Sequence, residues 1–549
     1  MVGAVVSLSG ACAVVLYHRT FFYLINSELT VQIIDNKALL FTTSKASQIA
    51  ALIPKSKILE TNGSLSRMLV NWGETEVKLL RNLKIKNVPH PILRTYKWPG
   101  VYTPFEHQKT TAAFLATHPR CLCLSEAGTG KTSAAAWAAD YLMAKGEIKR
   151  VLIVCPVSIM ETAWRSDLFK TVMHRSAALA TGDRKRREEV VKGPYEFVII
   201  NFDGVKVVNH VLKTGGFDLI IVDEATAVKS VSTQRWKALN DLITPTTRLW
   251  LMTGTPASQS PADAYGLAKL VNPDNVPRFF GAFRDSVMVK LDMYRWMPRA
   301  DAQDTVHRVL QPAIRFTKEE CLDLPDMLYT TREVPLTAQQ KHYYELIRKE
   351  MVADVGNGAD IVAINAAGRL NKLLQIAQGV AYTTEREVVE FDMSNRTNEL
   401  LDVINQTSHK VIVFVPYRHA LETLEQELLK AGVTLASISG DTPAGQRGDI
   451  IKRFQTEDDP KVILLIPQAA AHGVTLTRAD TVVWWGPVPS AELYLQGNAR
   501  AHRAGQRNPV TVVRLQGSSV ERRMYKMLDN KVDLHTCLVE LYEQEAGGA

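Results

Sequence analysis

Between residues 151 and 252 the chain repeats one pattern: four apolar residues, a turn, then a longer mixed segment. Val151-Leu152-Ile153-Val154, Phe197-Val198-Ile199-Ile200, Leu219-Ile220-Ile221-Val222 and Leu249-Trp250-Leu251-Met252 are apolar at every position rather than at alternate ones. A strand apolar on both faces is covered on both faces, so these runs predict a parallel sheet with crossover helices packed against it. The pattern returns past residue 410. Strands are predicted at 411–415, 462–466, 481–485 and 510–515, joined by segments such as 420–430, where Leu421, Leu424 and Leu428 make one helical stripe that stops at Gly432. The fold class predicted is α/β, two similar lobes in tandem with parallel sheets. From about residue 266 to 382 the strand pattern lapses into helical segments at 338–352 and 361–378, read as helical insertions between the lobes.

The first 95 residues read differently. Short β-rich runs at 13–17, 21–25, 30–34 and 38–42 accompany one helical pattern at 44–52 closed by Pro54, which predicts a small N-terminal α+β domain. Residues 2–16 are apolar and small but follow no Lys or Arg, so a buried strand is expected there rather than a leader. Pro89, Pro91, Pro99 and Pro104 then punctuate a linker. The expected division is 1–95 as an accessory domain, 96–320 as a first lobe with a helical insertion, and 321–549 as a second lobe with a helical insertion and a C-terminal helix.

Composition narrows this picture only slightly. A length of 549 residues with 46% apolar content can fill two to four cores. No charge-free run of about 18 apolar residues occurs downstream, which argues against a membrane span. The six cysteines show neither metal-ligand spacing nor a disulfide framework, and that fits a reducing cytoplasm. A net charge of +8 suits a polyanionic partner. Lys55, Lys57, Arg67, Lys78, Arg81, Lys84 and Lys86 make the second half of the accessory domain basic, which fits phosphate contacts and a solvated face equally well.

Candidate chemistry begins at Cys121-Leu122-Cys123-Leu124-Ser125-Glu126-Ala127-Gly128-Thr129-Gly130-Lys131-Thr132, followed by an Ala-rich helical run to Lys145. Strand, Gly-rich turn and helix in that order make a cradle for anions: Gly128, Thr129 and Gly130 let backbone N–H groups crowd a polyphosphate at a helix N-terminus. Lys131 reaches the β- and γ-phosphates, and the Thr132 hydroxyl can ligate Mg²⁺. Ser125 stands where the strict pattern has glycine. The run 219–222 stops at Asp223-Glu224-Ala225-Thr226. Asp223 there can hold Mg²⁺ through its water shell, and Glu224 can orient and deprotonate an attacking water. An Asp-Glu pair can also simply open a helix, and the phosphate loop upstream is what favours the catalytic reading. Near the other end, Arg500 and Arg503 stand three apart, predicted to share one helix face from which they reach a γ-phosphate held by the other lobe. As arginine fingers they would make hydrolysis depend on lobe closure; otherwise Arg500, His502, Arg503 and Arg507 form an exposed basic helix.

Taken in order, these motifs resemble the Swi/Snf-type ATPases, helicase-like proteins with two RecA-like lobes, over about residues 103–528. Thr103-Pro104-Phe105-Glu106-His107-Gln108 is similar to the adenine-reading segment, with Gln108 in the adenine-binding position. Val154-Cys155-Pro156-Val157-Ser158, Leu251-Met252-Thr253-Gly254-Thr255-Pro256 and Gly473-Val474-Thr475-Leu476-Thr477-Arg478-Ala479-Asp480 resemble further family motifs. So do Ile438-Ser439-Gly440-Asp441 and the crossing between lobes, Ala313-Ile314-Arg315-Phe316-Thr317-Lys318 with Leu324-Pro325. The strongest likeness is Gln496-Gly497-Asn498-Ala499-Arg500-Ala501-His502-Arg503-Ala504-Gly505-Gln506. Thr226 stands where many relatives have His, and Ala470 and Ala471 where glycines are common; the phrasing 467–473 looks most like phage and bacterial branches.

The resemblance implies ATP and Mg²⁺ as cofactors and DNA-stimulated ATP hydrolysis. It implies translocation on double-stranded or branched DNA, remodelling protein–DNA or branched structures without separating strands. DNA phosphates would be gripped at Pro156, Ser158, Thr475 and Thr477. DNA-bound proteins are further expected partners, with no membrane, a monomeric state, and a bacterial or phage-infected cytoplasm. The alternatives are a strand-separating or branch-migrating helicase, with 1–95 or the helical insertions as a wedge, and the motor subunit of a restriction or defence complex.

Overall fold

The computed structural model describes residues 31–257, 260–291, 296–321, 324–356, 363–382, 387–470 and 474–530. The strands expected at 13–17 and 21–25 lie outside the described residues. The chain parts into two compact units between Lys97 and Trp98.

The first unit holds an antiparallel sheet in the order Gln32–Ile34, Ala38–Thr43, Leu65–Asn71, Lys57–Asn62, with helices Ala46–Leu52 and Glu74–Asn82. Ser66, Met68 and Val70 alternate inward along Leu65–Asn71, the period of a half-buried strand. The sequence reading assigns no strand between residues 55 and 71, yet a hairpin runs there. Its turn is marked by Asn62-Gly63, with Gly63 at φ +60°, but the outer strand Lys57–Asn62 is exposed at every position and so carries no apolar alternation.

The second unit contains both predicted parallel sheets, and its two lobes are RecA-like. The first sheet runs Ala313–Ile314, Arg120–Cys123, Arg248–Met252, Leu219–Asp223, Val151–Cys155, Phe197–Asn201, Ala177–Leu179. The second runs Met327–Glu333, Val510–Gln516, Ala479–Trp484, Lys410–Phe414, Val462–Leu465, Leu435–Ile438. All pairings in both are parallel. Every residue of Val151–Cys155 and Leu219–Asp223 is buried, as a strand covered by helices on both faces requires. Sequence reading misses Ala177–Leu179, Ala313–Ile314, Met327–Glu333 and Leu435–Ile438, and each is an edge strand. With a neighbour on one side only, such a strand is not obliged to be apolar: Met327–Glu333 reads Met-Leu-Tyr-Thr-Thr-Arg-Glu, with Leu328 and Tyr329 exposed.

The second lobe is held by an aromatic stack and by one ion pair sealed from water. Phe414 stacks on Trp484 at 4.5 Å, Trp484 meets Tyr494 at 4.8 Å, and the Trp484 indole N–H donates to Asn498 Oδ1 at 2.8 Å. Arg396 reaches Glu521 at 2.9 Å, with side chains 3% and 0% exposed. Glu521 also accepts the backbone N–H groups of Gly517 and Ser518, so it caps the helix Ser519–Asp529 that begins there. Removing one member leaves the other charge buried alone. Arg396→Leu is therefore expected to destabilise the second unit by about 3–5 kcal/mol, read as a lowered midpoint in urea unfolding.

Candidate nucleotide site

The phosphate loop joins the strand Arg120–Cys123 to the helix Lys131–Ala144. Gly128 and Gly130 take φ values of +90° and +78°, a region that side chains disfavour. At Gly130 a side chain would also have to displace Gln108, because its first carbon would stand 1.9 Å from Gln108 Nε2. Gln108 thus packs directly on the loop. Its Oε1 accepts the Phe105 N–H at 3.0 Å and its Nε2 donates to the Thr129 carbonyl at 3.3 Å. His107 Nε2 donates to that same carbonyl at 2.8 Å. Sequence reasoning did not single out His107; its signal is adjacency to Gln108 at the start of the helix Glu106–Thr117.

Lys131 folds back on the loop, its ammonium donating to the carbonyls of Ser125 at 2.7 Å and Glu126 at 3.0 Å. Thr132 follows in the first turn of the helix, where the positive end of the helix dipole faces the loop.

Ser125 has a use of its own. Its side chain is buried, and its hydroxyl accepts the N–H of Phe316 at 3.1 Å. Phe316 belongs to a segment that runs alongside the strand and its loop. Leu122, Leu124 and Glu126 donate their N–H groups in turn to the carbonyls of Pro312, Ile314 and Phe316, and Lys318 N–H donates to Glu126 Oε2 at 3.3 Å. Glycine at 125 could not accept the Phe316 donor. The coupling motif packs on the loop from another side: a side chain on Gly254 would lie 3.6 Å from the Ser125 carbonyl.

The acidic pair closes the strand Leu219–Asp223. Glu224 adopts φ +53°, a left-handed conformation costly for a side-chain-bearing residue, and its N–H donates to Asp223 Oδ1 at 3.0 Å. Asp223 is buried, and its Oδ2 accepts the indole N–H of the fully buried Trp164 at 2.9 Å. Burial foremost, then the Glu224 charge, pushes the Asp223 carboxyl up to about 6, with Lys131 and the Trp164 bond opposing. Two adjacent carboxylates against one lysine leave the spot short of positive charge, which fits a divalent cation held by Asp223 and Thr132 with phosphate oxygens and water. Trp164 was not anticipated. It sits in a π-helical turn, Met160–Arg165, which the sequence pattern does not reveal. Thr226 lies in the short turn Ala225–Val228 that follows the pair.

Arg500 and Arg503 are not on a helix face, contrary to the expectation above. The helix Ala491–Asn498 ends before them, and both lie in the succeeding turn. The Arg500 carbonyl is diverted to the N–H of Leu476 at 2.9 Å, which takes it out of a helical ladder. The turn still makes the two side chains converge: each donates an Nη1 hydrogen to the Val474 carbonyl at 3.3 Å. Both approach the first lobe. A side chain on Gly128 would stand 3.3 Å from Arg503 Cβ. Burial pushes Arg500 down to about 10, Arg503 adding and Glu224 opposing; burial likewise lowers Arg503, against Asp167 and Tyr102.

Of the remaining candidates, Pro156 and Ser158 follow the end of Val151–Cys155. Thr475 and Thr477 precede the strand Ala479–Trp484, and the Thr477 hydroxyl accepts from Gln455 Nε2 at 3.3 Å. The side chain of Ala470, and Ala471 entirely, lie outside the described residues. Among the described residues no helix is long and apolar enough to cross a membrane. Losing the Ser125 hydroxyl strands a backbone donor beside a buried site. Ser125→Ala should destabilise the second unit by about 1–3 kcal/mol, measured by chemical unfolding, and Ser125→Gly, although nearer the strict pattern, should be no better.

Residues 68–395 match the family described as SNF2-related domain, and residues 395–505 match the helicase conserved C-terminal domain. Chromodomain-helicase-DNA-binding protein 1-like of Danio rerio is 26% identical over 480 residues, covering 82% of this chain and 44% of its own. Putative protein p41 of Acyrthosiphon pisum secondary endosymbiont phage 1 is 25% identical over 442 residues, covering 75% of this chain and 92% of its own. The chain thus spans less than half the length of the first relative and nearly all of the second. A solved structure described as the Sulfolobus solfataricus SWI2/SNF2 ATPase core in complex with dsDNA aligns with 79% of this chain and 92% of its own, at 20% identity and a TM-score of 0.40.

Proposed function

Since this chain belongs to the SNF2-related family of helicase-like ATPases, we propose that it hydrolyses ATP and uses the energy to translocate along double-stranded DNA, remodelling protein–DNA or branched DNA structures. The observation that carries this reading is the approach of Arg503 of the second lobe to Gly128 of the phosphate loop in the first. In this reading residues 1–95 are an accessory domain, 96–320 the first lobe and 321–549 the second. The phage relative supports a setting inside an infected bacterial cell.

The roles follow from the geometry. Backbone N–H groups of Gly128 to Thr132 cradle the phosphates, Lys131 exchanges its two carbonyl acceptors for phosphate oxygens, and Gln108, already seated against Thr129, places the base. Thr132 and Asp223 would hold Mg²⁺, which would supply charge neutralisation for the phosphates. Glu224 orients and deprotonates the attacking water. Arg500 and Arg503 leave the Val474 carbonyl to meet the charge that grows on the γ-phosphate, which stabilises the transition state more than the ground state.

DNA phosphates are assigned to Pro156 and Ser158 on one lobe and Thr475 and Thr477 on the other. The support is mechanical: the Leu476 N–H holds the Arg500 carbonyl, so the segment carrying Thr475 and Thr477 stays bonded to the arginine turn through its backbone when the arginine side chains leave Val474. Gripping DNA and aiming the arginines are then one movement.

Lys131→Ala and Glu224→Gln should each cut turnover by a factor on the order of 10²–10⁴, yet separate in binding. The lysine variant loses ATP affinity, the glutamine variant keeps it and traps ATP, and equal affinity losses would overturn the assignment. Arg503→Ala should leave ATP and DNA affinity nearly intact while lowering the single-turnover rate with duplex DNA by about 10³-fold. Duplex should stimulate hydrolysis and permit displacement of a third strand while a forked substrate stays paired; separation of the fork would favour a helicase instead.

A further inference from the structure

The chain crosses from the first lobe to the second beside the phosphate loop, and the last residue of that crossing tied to the loop is Lys318. Its backbone N–H donates to Glu126 Oε2 at 3.3 Å. Its ammonium donates to the carbonyl of His502 at 3.1 Å, between Arg500 and Arg503 in sequence. The stem lies over the bare backbone of Gly128: a side chain there would meet Lys318 Cε at 3.6 Å and Arg503 Cβ at 3.3 Å. Among the described residues the ammonium of Lys318 bonds to the His502 carbonyl and to no carboxylate. Two half-buried cations, Lys318 and Arg503, thus gather at one glycine of an anion cradle, with the buried Arg500 near enough for its charge to act on Lys318.

Such a cluster is unfavourable until an anion arrives. Like charges in a poorly hydrated space repel, and one carbonyl acceptor does not compensate an ammonium that can donate three hydrogen bonds. Burial pushes Lys318 down to about 8, with Arg500 and Arg503 adding to the effect and Glu126 and Glu319 opposing it. The His502 imidazole is engaged elsewhere, with the Pro325 carbonyl. The Lys131 ammonium is held by the carbonyls of Ser125 and Glu126 and does not share the His502 carbonyl. Lys318 shares the glycine with Arg503 and bonds to the arginine turn, so the anion that suits it is the one the arginines meet, the γ-phosphate present only in the triphosphate.

We propose that Lys318 is a γ-phosphate-binding residue, the cation by which the crossing between the lobes distinguishes ATP from ADP. This rests on the nucleotide reading above and assigns within it a residue that carries the presence of the third phosphate to the arginine turn through His502. When the γ-phosphate binds, the ammonium turns from the His502 carbonyl toward it, releasing the turn at the moment Arg500 and Arg503 are needed. After hydrolysis and phosphate release the bond to His502 re-forms.

The test is calorimetric titration of the full chain with Mg-ADP and with a non-hydrolysable ATP analogue, AMP-PNP. Lys318→Ala should weaken AMP-PNP binding by roughly 10- to 100-fold, the worth of one charged hydrogen bond, while changing ADP binding less than about threefold. Lys318→Arg should recover most of the difference. At pH 8.5, in buffers of differing ionisation enthalpy, AMP-PNP binding should take up a fraction of a proton in the wild type but not in Lys318→Arg, because the lysine regains its charge. ADP binding should take up none in either. Equal losses for both nucleotides, or none for either, would make Lys318 a structural tie and overturn the proposal. Retained ADP binding shows that a variant is folded, and Lys318→Met, which keeps the stem, replaces Lys318→Ala if that variant binds neither nucleotide. Failure of the wild type to bind either nucleotide would instead overturn the nucleotide reading itself.

Discussion

The ladder between residues 312–318 and the strand ending at the phosphate loop is the constraint on which the rest of the second unit depends. Leu122, Leu124 and Glu126 donate into it, and Phe316 and Lys318 donate back, to Ser125 Oγ and Glu126 Oε2. A parallel edge strand normally ends with its ladder. Here it continues past the strand, side chain to backbone, until it reaches the loop. The chain therefore leaves for the second lobe from the place where phosphate would bind. Lys318 and Pro325 both bond to His502, so the chain enters the second sheet beside the arginine turn.

The electrostatics follow from that placement. The first lobe contributes two carboxylates, Asp223 buried and Glu224 strained beside it. The second contributes Arg500 and Arg503, buried enough to be pushed below the ordinary guanidinium range. Each group is costly alone, and a phosphate chain with a divalent cation is the species that would satisfy both sets together. A site organised in this way gains most when both halves face the ligand. Preorganised charge of this kind is what lowers a barrier without simply tightening binding.

Much of this was legible because the residues concerned report on themselves. Gly128 and Gly130 can adopt positive φ, Lys131 and Thr132 follow them at the start of a helix, and an Asp-Glu pair ending an all-apolar strand can face only the end of a sheet. Other features depended on partners distant in sequence. The bond from Trp164 to Asp223 joins residues 59 positions apart, and that from Phe316 to Ser125 joins residues 191 apart. No local pattern encodes either. Edge strands such as Met327–Glu333 escaped because solvent relaxes the demand for apolar residues. The arginine turn was misread as helix because a spacing of three fits both, and only the bond between Leu476 and the Arg500 carbonyl decides between them.

Lys131 bears on a different quantity, the time a product spends bound. Its ammonium is already satisfied by the carbonyls of Ser125 and Glu126, so the loop acts as an internal competitor for its own lysine. Only the fraction of molecules with the lysine released is ready to bind, and the apparent dissociation constant rises in inverse proportion to that fraction. The competition does not discriminate between nucleotides at entry, but it acts again at exit. When ADP loosens, the two carbonyls recapture the lysine at once, and rebinding meets a closed partner. The loop would give up some affinity and in return clear its product quickly, which suits an ATPase that turns over repeatedly.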